Sequence, residues 1–303
     1  MAVFLAKKYF QPKDDDIFVV SNGRSGTMFV FNLLHQLRTG GDHSFDDIMT
    51  VGEHFVEFSG LGDPNNINRE QFGAPPRLFF THAFPWHLPV FKRAIYVIRN
   101  PADVVRSWHH LVNRFLQMKS TIDLETFFYD CFLYNCFWPD EPYFHHITSY
   151  WRLAHADQQT SASAISKFGW VHFERLINNA NLPQSVQLIS DNFNITAYPK
   201  RAILRRVSHG YYMRNQRKFD MHNLQYVCGE IINYCMARPS YKLDITWKRL
   251  GIQSVSVSND SENISDTIGD VILNKWRTIV GPVTGYKTYP EMLERWNDHV
   301  FIK

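Results

Sequence analysis

A segment near the start of the chain, residues 17–31 with the sequence IFVVSNGRSGTMFVF, has the residue types and spacing of an anion site. Four apolar residues predict a buried strand, a turn with two glycines follows, and an apolar run with helical spacing comes next. The amide N–H groups of such a turn and the dipole of the following helix favour negative charge, and an arginine in the turn adds a cation. The residues that we expect to contact the anion are Gly23, Arg24, Ser25, Gly26, Thr27 and Met28.

The spacing of the two glycines argues against a nucleoside-triphosphate site. A P-loop that binds ATP or GTP has four residues between its glycines, followed by Lys and then Ser or Thr. Here two residues separate Gly23 from Gly26, and Arg24 lies before the second glycine. The turn therefore predicts an anion site of a different kind, with a plain connection between strand and helix as the alternative.

Two further predicted strands end in residues that suit the same chemistry. Residues 77–81 are followed by His82, a candidate base, and residues 94–98 are followed by Arg99. Both strands are apolar without alternation, which is typical of a parallel sheet covered on both faces. Ligands of such sheets bind beyond the carboxyl ends of the strands, so we expect the glycine turn, His82 and Arg99 to lie together.

Strands that alternate with helices predict the elements that position these residues. The pattern favours an α/β fold of three layers, with a central, mostly parallel sheet flanked by helices, in one domain spanning residues 1–303. Asn100 and Pro101 mark a helix start after the third strand, because Asn caps helices and Pro suits their first position. Residues 170–173 predict a fourth strand, and the Ser- and Asn-rich residues 253–266 predict a mobile loop.

Composition and charge exclude several classes of protein. The chain has 303 residues, 45% of them hydrophobic, and no apolar run of about eighteen residues, so no membrane-spanning helix is expected. The first residues lack the features of a secretory signal, and we expect a cytoplasmic protein. The 4 cysteines form no CxxC pair, which does not fit a zinc site. Residues 200–218 hold seven Lys and Arg and no acid, which predicts either a solvated helix face or a surface for an anion or nucleic acid.

Taken together, the three strand ends resemble those of the cytosolic-type sulfotransferases that use 3′-phosphoadenosine-5′-phosphosulfate (PAPS). Residues 21–28, SNGRSGTM, are similar to that family's loop Tyr-Pro-Lys-Ser-Gly-Thr-Thr, in which many members have Arg in place of Lys. Residues 96–107 match the pattern Arg-Asn-Pro-x-Asp-Val-x-x-Ser, with Arg99 and Ser107 at the family's own offset, and residues 80–82 match its Lys-Thr-His. Looser matches occur at residues 172–176, 207–209 and 274–277.

The resemblance implies a P-loop-like fold and in-line attack by a small-molecule acceptor on the sulfur of PAPS, without a metal, giving adenosine 3′,5′-bisphosphate (PAP). It implies that the turn and Arg24 hold the 5′-phosphosulfate, that Arg99 and Ser107 bind the 3′-phosphate, and that His82 takes the acceptor's proton. Further residues that the resemblance assigns to the donor are Phe173, Ser208, Lys275 and Arg277. The aromatic residues that we expect to line the acceptor pocket are Phe84, Trp86, Trp138 and Tyr143.

The sequence departs from the family at two points. Phe80 stands where the family has a Lys before Thr-His, which removes a cation from the leaving-group side. The family's Arg-Lys-Gly contact to the 3′-phosphate is absent from residues 255–285, so the basic run at 200–218, or Lys275 and Arg277, would have to replace it.

Two other functions remain as alternatives, a P-loop kinase-like phosphotransferase and a non-catalytic binder of nucleotides or nucleic acid. We expect a small-molecule acceptor and neither a nucleic-acid nor a membrane partner. The sequence leaves open whether the acceptor is a hydroxyl, an amine or a guanidinium compound. It also leaves the oligomeric state open, a homodimer included.

Overall fold

The apolar strands predicted from the sequence form one sheet. The computed structural model describes residues 10–51, 75–116, 122–133, 143–156, 165–195, 200–219 and 264–302. Within these residues the sheet has five strands in the order β2-β1-β3-β4-β5. The strands are β1 (Ile17–Ser21), β2 (Leu78–Thr81), β3 (Arg93–Ile98), β4 (Lys167–His172) and β5 (Phe301–Ile302).

The pairing of the strands brings their carboxyl ends to one edge. β1, β2, β3 and β4 are parallel, and β5 pairs with β4 in the antiparallel sense. Val20 of β1 lies opposite Thr81 of β2, and Ser21 lies opposite Val97 of β3. The loops that follow these three strands therefore leave the same edge of the sheet side by side, with the loop after β1 in the middle.

Helices follow most of the strands. Their bounds are α1 (Thr27–Thr39), α2 (Pro101–Leu116), α3 (Leu124–Thr126, continued by a π-helical turn at Phe127–Phe132), α4 (Tyr143–Ala154), α5 (Phe173–Ile177), α6 (Leu182–Phe193), α7 (Lys200–Arg206), α8 (His209–Arg214), α9 (Asp266–Lys275, continued by a π-helical turn at Trp276–Val280), α10 (Gly281–Thr284) and α11 (Tyr289–Glu294). Short 3₁₀ turns span Ile48–Thr50, Pro85–His87, Gln216–Phe219 and Trp296–Asp298. None of the described helices is long and apolar enough to cross a bilayer.

The two faces of the sheet are covered by different helices. Phe18 and Val20 of β1 pack in a core with residues of α2, α4, α9 and α11, whereas Ile17 and Val19 pack in a second core with α1, α6, α7 and α8. Burial on both faces explains why the strands are apolar without alternation. The predicted three-layer α/β fold with a mostly parallel sheet is confirmed.

The ends of two elements test the sequence predictions in detail. The predicted helix start at Asn100 is confirmed, because Asn100 Oδ1 accepts a hydrogen bond from Ala102 N at 2.9 Å. The predicted fourth strand at 170–173 is wrong at its ends. Its partner β3 finishes at Ile98 opposite His172, so Phe173 has no strand to pair with and opens α5 instead.

Some predictions fall on residues that the structure does not describe. These are Trp138, most of the loop predicted at 253–266, and Cys136, Cys228 and Cys235. The described end of that loop includes Ser265, whose hydroxyl accepts from Ile268 N and caps α9.

Candidate active site at the strand ends

The turn after β1 has an unusual backbone. Arg24 has φ 69° and Gly26 has φ 102°, both in the left-handed region. A Cβ atom on Gly26 would lie 2.2 Å from the Phe173 ring, and one on Gly23 would lie 2.5 Å from the Trp108 ring. The two glycines therefore allow the turn to pack directly against aromatic rings of α5 and α2. A positive φ at Arg24 is backbone strain of the kind that clusters at binding sites.

Helix α2 and the end of β3 hold this turn through side chains. Arg24 Nε donates to Ser107 Oγ at 3.0 Å, and Trp108 Nε1 donates to Gly23 O at 3.1 Å. From the end of β3, Arg99 Nη1 donates to Arg24 O at 3.0 Å. The anion turn and the motif that carries Arg99 and Ser107 are thus in direct contact.

Arg99 is a buried cation with unused donor capacity. Its guanidinium carbon lies 4.8 Å from the centroid of the Phe173 ring, and its Nε makes no hydrogen bond within the described residues. Burial lowers the pKa of the Arg99 guanidinium, while Asp103 and Glu174 act in the opposite direction. Arginine nevertheless keeps its charge in proteins, so this edge of the sheet holds a permanent positive charge in a dry setting.

The first turn of α1 adds backbone donors at the same place. The helix begins after Gly26, which provides no side-chain cap, and its first turn contains no acidic residue. Its first amide groups therefore lack an intrahelical partner. Next to them, the Ser25 hydroxyl is buried and makes no hydrogen bond in the described part of the chain. An unpartnered hydroxyl beside a helix N-terminus suits a bound anion.

His82 lies one strand away, at the end of β2. Its Nδ1 lies 2.7 Å from Ser21 O, and since a carbonyl oxygen can only accept, Nδ1 carries the hydrogen. The lone pair is then on Nε2. Burial, with a smaller contribution from the Arg24 charge, lowers the pKa of His82 to about 4. The imidazole is therefore neutral at physiological pH, as a general base must be.

Phe80 stands before Thr81, where the family has a lysine, and it supplies no cation. Phe80 is 1% exposed and packs edge-on against Phe31, with ring centroids 5.5 Å apart. Its side chain belongs to the core on the α1 side of the sheet. Arg24 and Arg99 place two cations at these strand ends.

Helix α4 contacts the backbone that follows β2 and the backbone that follows β3. The Tyr143 hydroxyl donates to Arg99 O, and the Tyr150 hydroxyl donates to Ala83 O at 2.7 Å. Between them His146 Nδ1 lies 2.7 Å from the Tyr96 hydroxyl. Burial, with the nearby His82 as the next cause, lowers the pKa of His146 to about 3. The sequence predicts His146 only as a packing or substrate-pocket residue and gives no signal for Tyr150, because polar groups in an aromatic helix look like core residues.

A comparison with known protein families shows which family has these residues. The model of the sulfotransferase domain matches residues 14–233, which contain the glycine turn, His82, Arg99 and Ser107. The chain belongs to the sulfotransferase domain family.

Curated relatives of this sulfotransferase-family chain match parts of it. Rabbit (Oryctolagus cuniculus) amine sulfotransferase is 30% identical over 131 residues, which are 39% of this chain and 40% of that protein. Zebrafish (Danio rerio) sulfotransferase 6B1 is 26% identical over 197 residues, 62% of this chain and 60% of that protein. Cytosolic sulfotransferase 5 of Arabidopsis thaliana is 28% identical over 167 residues, 50% of each. The chain thus spans about half the length of the curated relatives that it matches.

Solved structures, one of them a sulfotransferase, share the fold over nearly the whole chain. Mouse sulfotransferase SULT7A1 complexed with PAP has a TM-score of 0.59 at 19% identity, covering 91% of this chain and 88% of that one. Retinol dehydratase in complex with androsterone and inactive cofactor PAP has a TM-score of 0.57 at 15% identity, covering 92% and 84%. At these identities the likeness concerns the fold alone, and it confirms the P-loop-like α/β architecture.

The remaining residues predicted for the donor lie on separate elements. The Ser208 hydroxyl caps α8 by accepting from Tyr211 N at 3.3 Å, and it donates to Arg205 O at 2.7 Å. Lys275 is half-buried and Arg277 is exposed, both near the end of α9. Met28 has its side chain in the core, so it can reach an anion only through its backbone. The roles of Ser208, Lys275 and Arg277 stay predictions.

The residues predicted for the acceptor pocket differ in exposure. Phe84 is 2% exposed and stacks on Trp86, which is 50% exposed, with ring centroids 4.6 Å apart. Both follow His82 closely in the chain, so they lie near this candidate base. Tyr143 is 3% exposed and directs its hydroxyl to a backbone carbonyl. Tyr143 therefore contacts the backbone of Arg99, and its predicted contact with an acceptor stays a prediction.

The basic run at 200–218 divides into structural and exposed residues. Lys218 Nζ donates to His43 O at 3.0 Å and also to Phe45 O, which ties this segment to the loop after α1. Arg206 packs so closely on Gly41 that a Cβ there would lie 2.7 Å from its Nη1. The exposed members are Arg201, Arg205, Arg214 and Arg217. Part of the run is therefore explained by packing.

Glu174 contacts both the start of α2 and helix α11. Its Oε1 accepts from Asn100 N at 2.7 Å, and its Oε2 accepts from the Tyr289 hydroxyl. Burial raises the pKa of the Glu174 carboxyl, and these hydrogen bonds act in the opposite direction. Residues 172–176 matched the family loosely at the level of sequence, but nothing in that match pointed to the C-terminal Tyr289.

Proposed function

We propose that this protein transfers a sulfuryl group from PAPS to a hydroxyl or amine group of a small molecule. The observation that carries the proposal is the contact of Arg24 with both Ser107 and Arg99, while His82 lies at the neighbouring strand end. This contact joins the two motifs that the family uses for the two ends of the donor. The amine acceptor is favoured further by the name of the rabbit relative, amine sulfotransferase.

The residues of the turn fit the anionic donor. Gly23 and Gly26 let the chain come close to its neighbours without a Cβ, and the Ser25 hydroxyl and Arg99 Nε are buried donors without a partner in the described structure. The turn, the amides at the start of α1 and Arg24 would hold the 5′-phosphosulfate. Arg99 and the Ser107 hydroxyl would bind the 3′-phosphate, which suits a guanidinium and a hydroxyl donor.

Each side chain then has a defined task. PAPS supplies the sulfuryl group and leaves as PAP, the molecule present in the solved relatives. His82 Nε2 accepts the proton of the attacking hydroxyl or amine, and the bond from Nδ1 to Ser21 O keeps the ring in the required tautomer. Arg24 lies close enough to lower the pKa of His82, and its positive charge stabilises the negative charge that develops on the leaving oxygen.

We further propose that the protein acts in the cytoplasm, since a relative from Arabidopsis thaliana is named cytosolic sulfotransferase 5. Fractionation of the native cell with an antibody to the protein tests this. Recovery with the membrane pellet after a salt wash would argue for a different compartment.

Transfer of label from radiolabelled PAPS to phenol and to benzylamine tests the function. The informative variant is His82→Asn, because the amide can still donate to Ser21 O but offers no base. We expect it to keep PAP binding and lose about 10²- to 10⁴-fold in kcat, the usual contribution of a general base. The matched control is His155→Asn, at an exposed histidine after α4. Unchanged turnover by His82→Asn would remove the base from the mechanism, and absence of transfer by the wild type would overturn the function itself.

A further inference from the structure

We propose that α4 positions His82 relative to Arg99 through two tyrosine hydroxyls, those of Tyr150 and Tyr143. The inference rests on the proposed function, since it concerns the same site. Tyr150 binds the carbonyl of Ala83, the residue after His82, and Tyr143 binds the carbonyl of Arg99 itself. Helix α4 is thereby bonded to the backbone of the loop that carries His82 and to the backbone of Arg99.

The spacing along α4 suits this task. Tyr143 and Tyr150 are seven residues apart, which is two helical turns, so both lie on one face with Cα atoms about 10 Å apart. His146 lies between them on that face and contacts the Tyr96 hydroxyl of β3. Tyr150 is 0% exposed and Tyr143 is 3% exposed, so neither hydroxyl has water as an alternative partner.

The loop that carries His82 also has contacts of its own. The amide of Ala83 donates to Thr81 Oγ1 at 3.0 Å, and its carbonyl accepts from Tyr150. The imidazole of His82 is bonded to Ser21 O. Removal of the Tyr150 hydroxyl takes a hydrogen bond from the buried carbonyl of Ala83, and a loop that moves to regain one shifts His82. A shift of about 1 Å at a reacting group can cost about 10²-fold in rate.

The two tyrosines should therefore affect different kinetic constants. Tyr150 acts on the base and so on kcat, whereas Tyr143 acts on Arg99 and so on the affinity for the nucleotide. Neither is a catalytic residue, since each acts through the backbone of another residue. A purely structural role would instead lower the thermal stability and leave both constants of the folded fraction unchanged.

The experiment compares Tyr150→Phe, Tyr143→Phe and the control Tyr286→Phe. Tyr286 is also a buried tyrosine, and its hydroxyl lies 3.0 Å from His299 Nδ1, so its variant loses a comparable bond elsewhere. We expect Tyr150→Phe to lower kcat about 10-fold or more with an unchanged Kd for PAP by calorimetry. We expect Tyr143→Phe to raise the Kd for PAP about 10-fold, and Tyr286→Phe to change neither.

Wild-type kcat in Tyr150→Phe, or an unchanged Kd for PAP in Tyr143→Phe, would overturn the positioning role of that tyrosine. If Tyr150→Phe does not fold, Thr81→Val removes another side-chain contact to the same loop and carries the same expectation for kcat. Failure of the proposed function would look different, because the wild type itself would then neither bind PAP nor transfer the sulfuryl group.

Discussion

Arg24 Nε donates to Ser107 Oγ at 3.0 Å and joins two segments that are 83 residues apart in the sequence. Because the serine oxygen accepts from the arginine, the serine O–H is left to donate elsewhere. The same bond orients the Arg24 guanidinium beside the start of α1. In the proposed function, the Ser107 hydroxyl is thereby oriented to donate to the 3′-phosphate.

Ser107→Ala should weaken PAP binding about 10-fold, since a hydrogen bond to a charged group contributes roughly 1.5–3 kcal/mol and about 1.4 kcal/mol is tenfold. Calorimetric titration with PAP measures this. Ser185→Ala, at another buried serine in α6, is the matched control and should bind like the wild type. Equal affinity in the two variants would show that Ser107 does not contact the nucleotide.

Gly26→Ala should destabilise the protein and abolish PAP binding. The new methyl group would meet the Phe173 ring at 2.2 Å, and alanine is strained at φ 102°. The control is Gly269→Ala within α9, where a Cβ meets nothing within 4 Å. That change should raise the stability by about 0.5–1 kcal/mol, because alanine suits a helix interior better than glycine. Thermal unfolding with and without PAP compares the two variants. Normal PAP binding by Gly26→Ala would refute the proposed contact of this turn with the nucleotide.

Phe80→Lys should not restore the lysine that other family members have. Phe80 is 1% exposed in the core, and burial of an unpaired ammonium costs several kcal/mol. We expect a fall in the denaturant midpoint of unfolding and no gain in kcat. Phe80→Leu, which keeps the site apolar, serves as control and should lose far less stability. A stable Phe80→Lys protein with a raised kcat would mean that the side chain reaches the leaving group after all.

Acid should destabilise the fold through its buried histidines. Burial, and next the Arg38 charge, lowers the pKa of His35 from 6.5 to about 4. Between these values the unfolded chain binds more protons than the folded one, so the free energy of unfolding falls as the pH falls. The loss for His35 alone is roughly 3 kcal/mol at most.

His35→Leu removes this titration and should make the free energy of unfolding fall less steeply between about pH 6.5 and pH 4. His82, His146 and His299 also have lowered pKa values and keep part of the slope in the variant. Denaturant unfolding of both proteins across that range gives the two slopes. Parallel slopes would mean that His35 is not kept neutral by the fold.

The sequence was sufficient for three strands of the sheet and for the residues that follow them. Apolar runs of strand length located β1, β2 and β3, and the polar residues after each of them, Arg24, His82 and Arg99, lie at one edge as expected. This worked because parallel strands place their carboxyl ends together whatever the details of packing.

The contacts that hold the site came only from the structure. Trp108 follows Ser107 directly, yet nothing in the sequence shows that its indole N–H reaches Gly23 O. Tyr150 and Glu174 hold site residues from distant parts of the chain. Such contacts depend on how helices sit on the sheet, which short-range patterns do not encode. The end of β4 was mispredicted for a related reason, since the length of its partner strand sets it.

The most direct test of the account is calorimetric titration of the wild type with PAP, and in parallel with ATP and Mg²⁺, followed by the same titrations of Arg99→Met. We predict tight binding of PAP, much weaker binding of ATP with Mg²⁺, and loss of the PAP affinity in the variant. Preference for ATP with Mg²⁺, or PAP binding that does not depend on Arg99, would contradict the assignment of this site to the PAPS donor.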